Sequence, residues 1–136
     1  MANPTGLDTA LGDAERVFLD SSTLIAFHSG KEATHSVAKH LLGRFEAPED
    51  PLRGYRSVVG AIELLVRPLR TGMEEFTFMH TFLTIFPNLT LLPVDLSVAL
   101  QAANIRAVTS LRVPDAILVA SALLAGCEAI VTNDER

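Results

Sequence analysis

The chain has 136 residues, of which 49% are hydrophobic and 20% are charged, and its formal net charge is -5 at pH 7. This length and this hydrophobic content fit one globular domain with a continuous core, and we expect no second domain. A single cysteine excludes an intrachain disulfide, which favours a cytoplasmic protein, and the acidic balance argues against a sequence-independent nucleic-acid coat.

The first 15 residues are expected to form a loose tail ahead of a domain over residues 16 to 136. They contain Pro4 and lack the basic start and apolar middle of a secretion signal. The most apolar later stretch, residues 116 to 125, is interrupted at Ser121 and is shorter than the about 20 apolar residues of a membrane-spanning helix. We therefore expect no membrane segment.

The first predicted strand is the apolar run Val17 to Leu19, whose β-branched start is typical of a buried parallel strand. This strand ends at Asp20. The hydroxyls of residues 21 to 23 are suited to cap a short helix over residues 24 to 27. Apolar residues at helical spacing then predict a longer helix over residues 31 to 45.

The middle of the chain predicts a strand followed by two helices. Residues 55 to 59 fit a second strand, and a helix over residues 61 to 66 carries Glu63 and is expected to end at Pro68. The next helix, over residues 73 to 86, has an apolar face that is either core or a groove for a partner helix. That face consists of Phe76, Met79, Phe82, Leu83 and Phe86.

A third strand and a further helix are predicted on either side of Asp95. Residues 89 to 94 resemble a strand, and residues 96 to 108 resemble a helix. Asp95 is either the N-cap of this helix or a fifth acid of a site, and we favour the cap.

The last predicted helix covers residues 115 to 125, with Pro114 in its first turn and Gly126 as its cap. It is apolar almost all round, so we expect it to be buried. The run "EAIVT" then predicts a final strand that leads to Asp134. Strands that alternate with helices indicate an α/β sandwich around a largely parallel sheet.

Four carboxylates are expected at one edge of this sheet, where open parallel sheets bind ligands. Asp20 and Asp134 follow strands, Glu63 lies on the helix after the second strand, and Asp115 begins a helix. Two carboxylates about 4 Å apart repel by roughly 4 kcal/mol at an effective dielectric near 20, so cations should join them. One or two Mg²⁺ or Mn²⁺ ions fit such hard oxygen ligands and would activate water for phosphodiester hydrolysis.

Arginines near these segments are candidates to hold substrate phosphates. Arg106 and Arg112 are the two that we single out. The others are Arg53, Arg56, Arg67 and Arg70.

Four motifs carry a resemblance to a known family. They are "VFLDSSTLIAF" around Asp20, "SVVGAIELLVRPLRTG" around Glu63, "IRAVTSLRVPDAILVASALLAGC" around Asp115, and "IVTND" around Asp134. The sequence resembles the PIN-domain ribonucleases, specifically the VapC-type toxins of toxin-antitoxin pairs. The resemblance implies a three-layer α/β/α sandwich, RNA cleavage that depends on Mg²⁺ or Mn²⁺, a cognate antitoxin as partner, and a homodimer.

The resemblance also assigns roles to the acids. It implies that Asp20 and Asp115 bind metal directly, that Asp134 completes the shell of a second ion, and that Glu63 binds metal or orients the attacking water. The residues that would support this cluster are Ser21, Thr132 and Asn133. In the family the chain usually continues beyond "TND" into an edge strand, whereas this sequence stops at Arg136. Either the protein is naturally short and lacks that strand, or its chain continues beyond Arg136.

Other functions compete with the nuclease interpretation. A PIN-like domain can act as a silent RNA-binding or interaction module. Haloacid dehalogenase phosphatases need a second Asp two residues after the first, where this chain has Ser22. His28, His35 and His40 match no zinc spacing and are expected at surface helix positions. Cys127 follows a buried helix and is expected to be a packing residue rather than a nucleophile.

Overall fold

The computed structural model describes residues 4–29 and 32–132. The helices of these ranges are α1 (Pro4–Leu11), α2 (Ser21–Ser29), α3 (Glu32–Glu46), α4 (Val58–Thr71), α5 (Met73–Ile85), α6 (Leu96–Val108) and α7 (Val113–Leu124). The strands are β1 (Arg16–Leu19), β2 (Arg53–Ser57), β3 (Leu89–Leu92) and β4 (Ala129–Val131).

Within the described ranges the strands form one parallel sheet in the order β3-β2-β1-β4. The central strand β1 places Val17 between Gly54 of β2 and Ala129 of β4. Because parallel strands run in one direction, their carboxyl ends meet at the same edge. The end of β1, where Asp20 follows, therefore lies beside the end of β4.

Two apolar clusters cover the two faces of the sheet. The larger one contains Val17 and Leu19 of β1 together with side chains from α1 to α5, and the smaller one joins α6 to α7 through Val98, Ala102, Ala116 and Ala120. Successive strand side chains point to opposite faces, so the fully buried Phe18 faces away from the larger cluster. The architecture is the three-layer α/β/α sandwich that the sequence predicted.

The N-terminal segment differs from our expectation of a loose tail. Residues Pro4–Leu11 form α1, and Leu7 and Leu11 on this helix belong to the larger core cluster. The carboxylate of Asp8 pairs with Nε2 of His40 at 2.8 Å, which fastens α1 to α3. The spacing of the two leucines, four residues apart, places both on one face of a short helix that packs on the core.

Two predicted helix details are wrong. Pro68 lies inside α4 instead of ending it, and the helix continues to Thr71, where Gly72 N–H donates to the carbonyl of Pro68 at 3.0 Å. The helix α7 is only partly buried, because Leu123 and Leu124 are 56% and 53% exposed. The small residues of α7, Ala116 and Ala120, form the face that packs inward.

Two predicted caps are present. The carboxylate of Asp95 accepts a hydrogen bond from Val98 N–H at 3.0 Å at the start of α6, so this acid caps a helix. Gly126 follows α7 with a φ of 73°, and its N–H donates to the carbonyl of Leu123 at 3.1 Å. A left-handed residue at this position ends the helix at low cost only when it is glycine.

In the described part of the chain, no single helix has the length and apolar character needed to cross a membrane. The pair α6 and α7 meets the length and composition criteria together, but the two helices bend by 119° at their junction.

Candidate active site

Three of the four predicted acids lie around one cleft at the carboxyl edge of the sheet. Asp20, Glu63 and Asp115 come from the end of β1, from α4 and from α7, and the cleft has a volume of about 570 Å³. The remaining lining residues are Ser21, Ser22, Ile25, Val59, Gly60, Arg112, Pro114 and Leu118. The fourth predicted acid, Asp134, and the predicted supporting residue Asn133 lie outside the residues that the structure describes.

Asp20 is held by both neighbouring segments of the chain. Its backbone N–H donates to the carbonyl of Val131 at 3.0 Å, which extends the pairing of β1 with β4 by one residue. Its Oδ2 accepts hydrogen bonds from Ser22 Oγ at 3.0 Å and from Thr132 Oγ1 at 2.9 Å. Two donors on Oδ2 fix the orientation of the carboxylate, so Oδ1 is the oxygen best placed to bind a cation in the cleft.

The hydroxyls around Asp20 differ in part from the predicted set. Thr132 contacts the carboxylate as expected, whereas Ser21 Oγ is 3.5 Å from Oδ1, at the limit of a hydrogen bond. Ser22 makes the shorter contact and also lies 3.2 Å from Thr132 Oγ1. The sequence signal for Ser22 was its place two residues after an acid at the start of a helix, where serine side chains commonly form local hydrogen bonds.

Glu63 and Asp115 approach the cleft from two helices. Glu63 is exposed on α4, one turn beyond Gly60, which also lines the cleft. Asp115 is half-buried in the first turn of α7, where the helix dipole stabilises a negative charge. Glu63 and Asp115 thus bring two carboxylates to the cleft from two different helices.

The two singled-out arginines have different positions. Arg112 precedes α7 and lines the cleft with an exposed side chain, so it can reach a phosphate bound there. Arg106 is not among the lining residues, and its Nε donates to the carbonyl of Leu111 at 3.1 Å. Arg106 thus supports the loop that positions Arg112.

Arg56 was one of six arginines considered as possible phosphate contacts, but the structure buries it. Arg56 is 1% exposed, and its three guanidinium nitrogens have no hydrogen-bond partner among the described residues. Burial lowers the pKa of Arg56 to about 10, while the charges of Asp20 and Glu63 act in the opposite direction. The group remains a cation at neutral pH.

The oxygen ligands around the cleft are chemically suited to a hard divalent ion. Carboxylate and hydroxyl oxygens are the ligands that Mg²⁺ and Mn²⁺ prefer, and these ions keep several waters that an open cleft can accommodate. Within residues 4–29 and 32–132, however, no three Asp, Glu, His or Cys side chains are gathered closely enough to form a complete metal site. A bound ion would therefore complete its shell with water or substrate oxygen.

Among the described side chains, His35, His40 and Cys127 do not line the cleft. His35 stacks on Phe27 and shares a hydrogen bond with its carbonyl at 2.7 Å, and His40 pairs with Asp8. The side chain of His28 lies outside the described set. Burial raises the pKa of the Cys127 thiol to about 11, so it is a poor nucleophile at neutral pH.

The apolar face of α5 belongs to the core rather than to an open groove. Met79, Phe82 and Leu83 are buried, and Phe86 packs against Phe82 with ring centroids 4.9 Å apart. Phe76 is half-buried at the edge of this group. The exposed large apolar side chains of α4 and α5 are instead Ile62, Val66, Leu69, Met73, Phe78 and Ile85.

The chain matches the model of one protein family, and its fold is similar to that of several solved structures. The family model described as PIN domain matches residues 17–136. The fold is similar to a toxin-antitoxin complex from Klebsiella pneumoniae (TM-score 0.67, 22% identity, 88% of each chain covered). It is also similar to VapC20 of Mycobacterium tuberculosis, a Sarcin-Ricin loop cleaving toxin (TM-score 0.63, 21% identity, 88% of this chain and 90% of that chain). A third similar structure is FitAcB from Neisseria gonorrhoeae (TM-score 0.65, 21% identity, 87% of each chain). The sequence matches none of the curated proteins.

Proposed function

Because the chain belongs to the PIN domain family, we propose that it is a metal-dependent endoribonuclease and the toxin component of a toxin-antitoxin pair. The observation that carries this proposal is that Asp20, Glu63 and Asp115 line one cleft at the carboxyl edge of the sheet. The fold shared with VapC20 of Mycobacterium tuberculosis, a Sarcin-Ricin loop cleaving toxin, supports RNA as the substrate.

The proposed site residues act as metal ligands, as supports for Asp20, or as a phosphate contact. Asp20 and Asp115 bind the divalent ion, Glu63 binds it or orients the attacking water, and Asp134 adds a fourth carboxylate. Ser22 and Thr132 hold Asp20 in one orientation through its Oδ2. Arg112, exposed at the rim, binds a phosphate of the RNA.

Mg²⁺ or Mn²⁺, as one or two ions, would supply stabilisation of phosphate charge and an activated water in such a cleft. The protein side chains contribute the negative charge that attracts the ion and the geometry that places it near the scissile phosphate. No nucleophilic side chain is required, which agrees with the protonated state of Cys127. A bound ion would also allow this acidic protein to bind RNA, because it would create positive potential at the site where the phosphate docks.

The proposed protein partners are a cognate antitoxin and a second copy of the chain. The shared fold with a Klebsiella pneumoniae toxin-antitoxin complex supports the antitoxin. On α4 and at the start of α5, Ile62, Leu69 and Met73 are 64%, 65% and 75% exposed. Ile62 and Leu69 lie two turns apart on one face of α4, and Met73 begins the next helix, α5. Exposed apolar side chains grouped in this way are typical of a surface that a partner covers.

Cleavage assays on defined RNA test the proposed activity. Purified protein with Mg²⁺ or Mn²⁺ is expected to cut an RNA substrate, and a chelator in excess should stop the reaction. Asp20→Asn and Asp115→Asn should each reduce the rate by at least about a hundredfold while circular dichroism shows an unchanged fold. Undiminished cleavage by both variants would refute the assignment.

Asp95→Asn is the matched control for these substitutions. It removes the same charge from an acid that caps α6, and asparagine caps helices as well as aspartate does. This variant should cleave RNA at the wild-type rate. If instead the wild-type protein binds RNA equally with and without chelator and cuts it in neither condition, the chain is a silent RNA-binding module.

A further inference from the structure

Arg56 lies directly beneath the floor of the acidic cleft. A Cβ placed on Gly60, which lines the cleft, would be 2.9 Å from Nη2 of Arg56 and 3.5 Å from Cβ of Ser21. The guanidinium is thus covered by the start of α4 and of α2, and it belongs to the larger fully buried side chains of the described ranges. Only a residue without a side chain at position 60 leaves this space.

The position of Arg56 on its strand faces the interior. Gly54, two residues earlier on β2, points to the same side, and a Cβ there would lie 2.5 Å from the ring of Phe45 in the larger core. Such a position is normally occupied by an apolar residue. A charged side chain without a hydrogen-bond partner is costly here unless an electrostatic interaction compensates for the lost hydration.

The compensating charges are the acids of the cleft. Asp20 and Glu63 both stabilise the charged form of Arg56, although neither forms a hydrogen bond with it among the described contacts. The interaction therefore acts through space across the cleft floor. In a poorly hydrated region such an interaction is screened less by salt than one at the surface.

We propose that Arg56 is a built-in counter-cation of the acidic cleft, which weakens the affinity of the cleft for divalent metal ions. This inference rests on the proposed metal-dependent function. The guanidinium offsets part of the negative charge of Asp20 and Glu63 and repels an incoming dication. Because the cleft floor covers Arg56, its guanidinium acts on the ion only through its charge. It positions neither the substrate nor the attacking water.

Calorimetric titration with Mn²⁺ tests the proposal without measuring activity. The full-length protein, freed of metal, is titrated as wild type, as Arg56→Met and as Arg56→Lys. Arg56→Met removes the positive charge that repels the dication across the cleft floor. Mn²⁺ binding should therefore tighten by roughly tenfold or more. Arg56→Lys keeps the charge and should bind within about threefold of wild type.

Arg70→Met is the control for a change of net charge alone. Arg70 is exposed in the last turn of α4, so its removal should change Mn²⁺ affinity by less than about twofold at 0.15 M salt. Raising the salt to about 0.5 M should abolish that small effect and preserve most of the effect of Arg56→Met.

The outcomes separate the two hypotheses. Equal Mn²⁺ affinity of wild type and Arg56→Met, or tightening by Arg56→Lys as large as that by Arg56→Met, would overturn the role of Arg56 and leave the nuclease intact. Absence of Mn²⁺ binding to wild type and to Arg56→Met would overturn both. If Arg56→Met is insoluble, Arg56→Gln replaces it, because it also removes the charge and should tighten Mn²⁺ binding equally. Equal Mn²⁺ affinity of wild type and Arg56→Gln would likewise overturn the role of Arg56.

Discussion

Thr132 Oγ1 donates a hydrogen bond of 2.9 Å to Oδ2 of Asp20, although the two residues are 112 positions apart. The contact joins the residue that follows β4 to the residue that follows β1. Ser22 Oγ reaches the same carboxylate oxygen at 3.0 Å. The orientation of the proposed metal ligand therefore depends on the pairing of the first and last strands of the described sheet.

Thr132→Val tests this dependence. The variant removes the hydroxyl and keeps the shape of the side chain, so RNA cleavage should fall by roughly three- to tenfold, the equivalent of one hydrogen bond of about 0.5 to 1.5 kcal/mol. Single-turnover cleavage is the measurement, and Thr132→Ser should restore most of the rate. An equal loss in Thr132→Ser would show that the hydroxyl is not responsible.

Gly60→Ala is expected to destabilise the fold through Arg56. The added methyl would overlap Nη2, and overpacking of this kind costs about 1 to 3 kcal/mol, more than the roughly 0.5 to 1 kcal/mol that alanine gains in a helix. Urea unfolding measures the free energy. In an Arg56→Met background the clash is absent, so Gly60→Ala should be neutral or stabilising there.

Gly43→Ala provides the control for that cycle. Gly43 lies within α3, and a Cβ there would have no neighbour within 4 Å, so only helix propensity changes. We expect stabilisation by about 0.5 to 1 kcal/mol. Destabilisation by Gly60→Ala of the same size in both backgrounds would contradict the packing of Arg56 under α4.

The ion pair of Asp50 with Arg44 should make stability depend on acidic pH. Arg44 Nε and Nη2 donate to the two carboxylate oxygens at 2.8 Å and 3.1 Å, and these bonds hold the pKa of Asp50 below its usual 3.8. A lowered folded-state pKa means that the stabilisation is complete above about pH 4 and disappears as the pH falls through the folded-state pKa.

Asp50→Asn should therefore lower the free energy of unfolding by about 1 to 3 kcal/mol at pH 7. It removes the charge that pairs with Arg44, and it weakens the hydrogen bond that Leu52 N–H donates to Asp50. Urea unfolding of wild type and variant at pH 7, 5 and 3 measures the difference. The gap should be the same at pH 7 and 5 and smaller at pH 3. A gap that widens toward pH 3 would contradict the lowered pKa.

Alkylation of Cys127 should be slow in the native protein. Burial raises the pKa of its thiol from 9.0 to about 11, so the thiolate fraction at pH 8 falls by about a hundredfold relative to the unfolded chain. The rate of reaction with iodoacetamide, followed by mass spectrometry, should increase with pH up to about 11. Native and urea-unfolded protein reacting equally fast at pH 8 would contradict this environment.

From β1 onward, the sequence alone determined the order of the elements, because apolar periodicity and turn residues are local properties of the chain. It placed β1, α3, α5 and α6 close to their observed bounds, and it put Asp20 at the end of a strand. Parallel strands share one carboxyl edge, so the convergence of Asp20, Glu63 and Asp115 on a common cleft also followed from the chain order.

Only the tertiary structure decided the surroundings of those acids. The stretch Arg53 to Ser57 has no apolar alternation, so nothing local marks Arg56 as a buried residue beneath the cleft. The same holds for α1, whose two core leucines are too few to form a stable helix alone. Burial depends on which distant elements pack together, and the charge environment of the cleft is therefore a property of the folded chain.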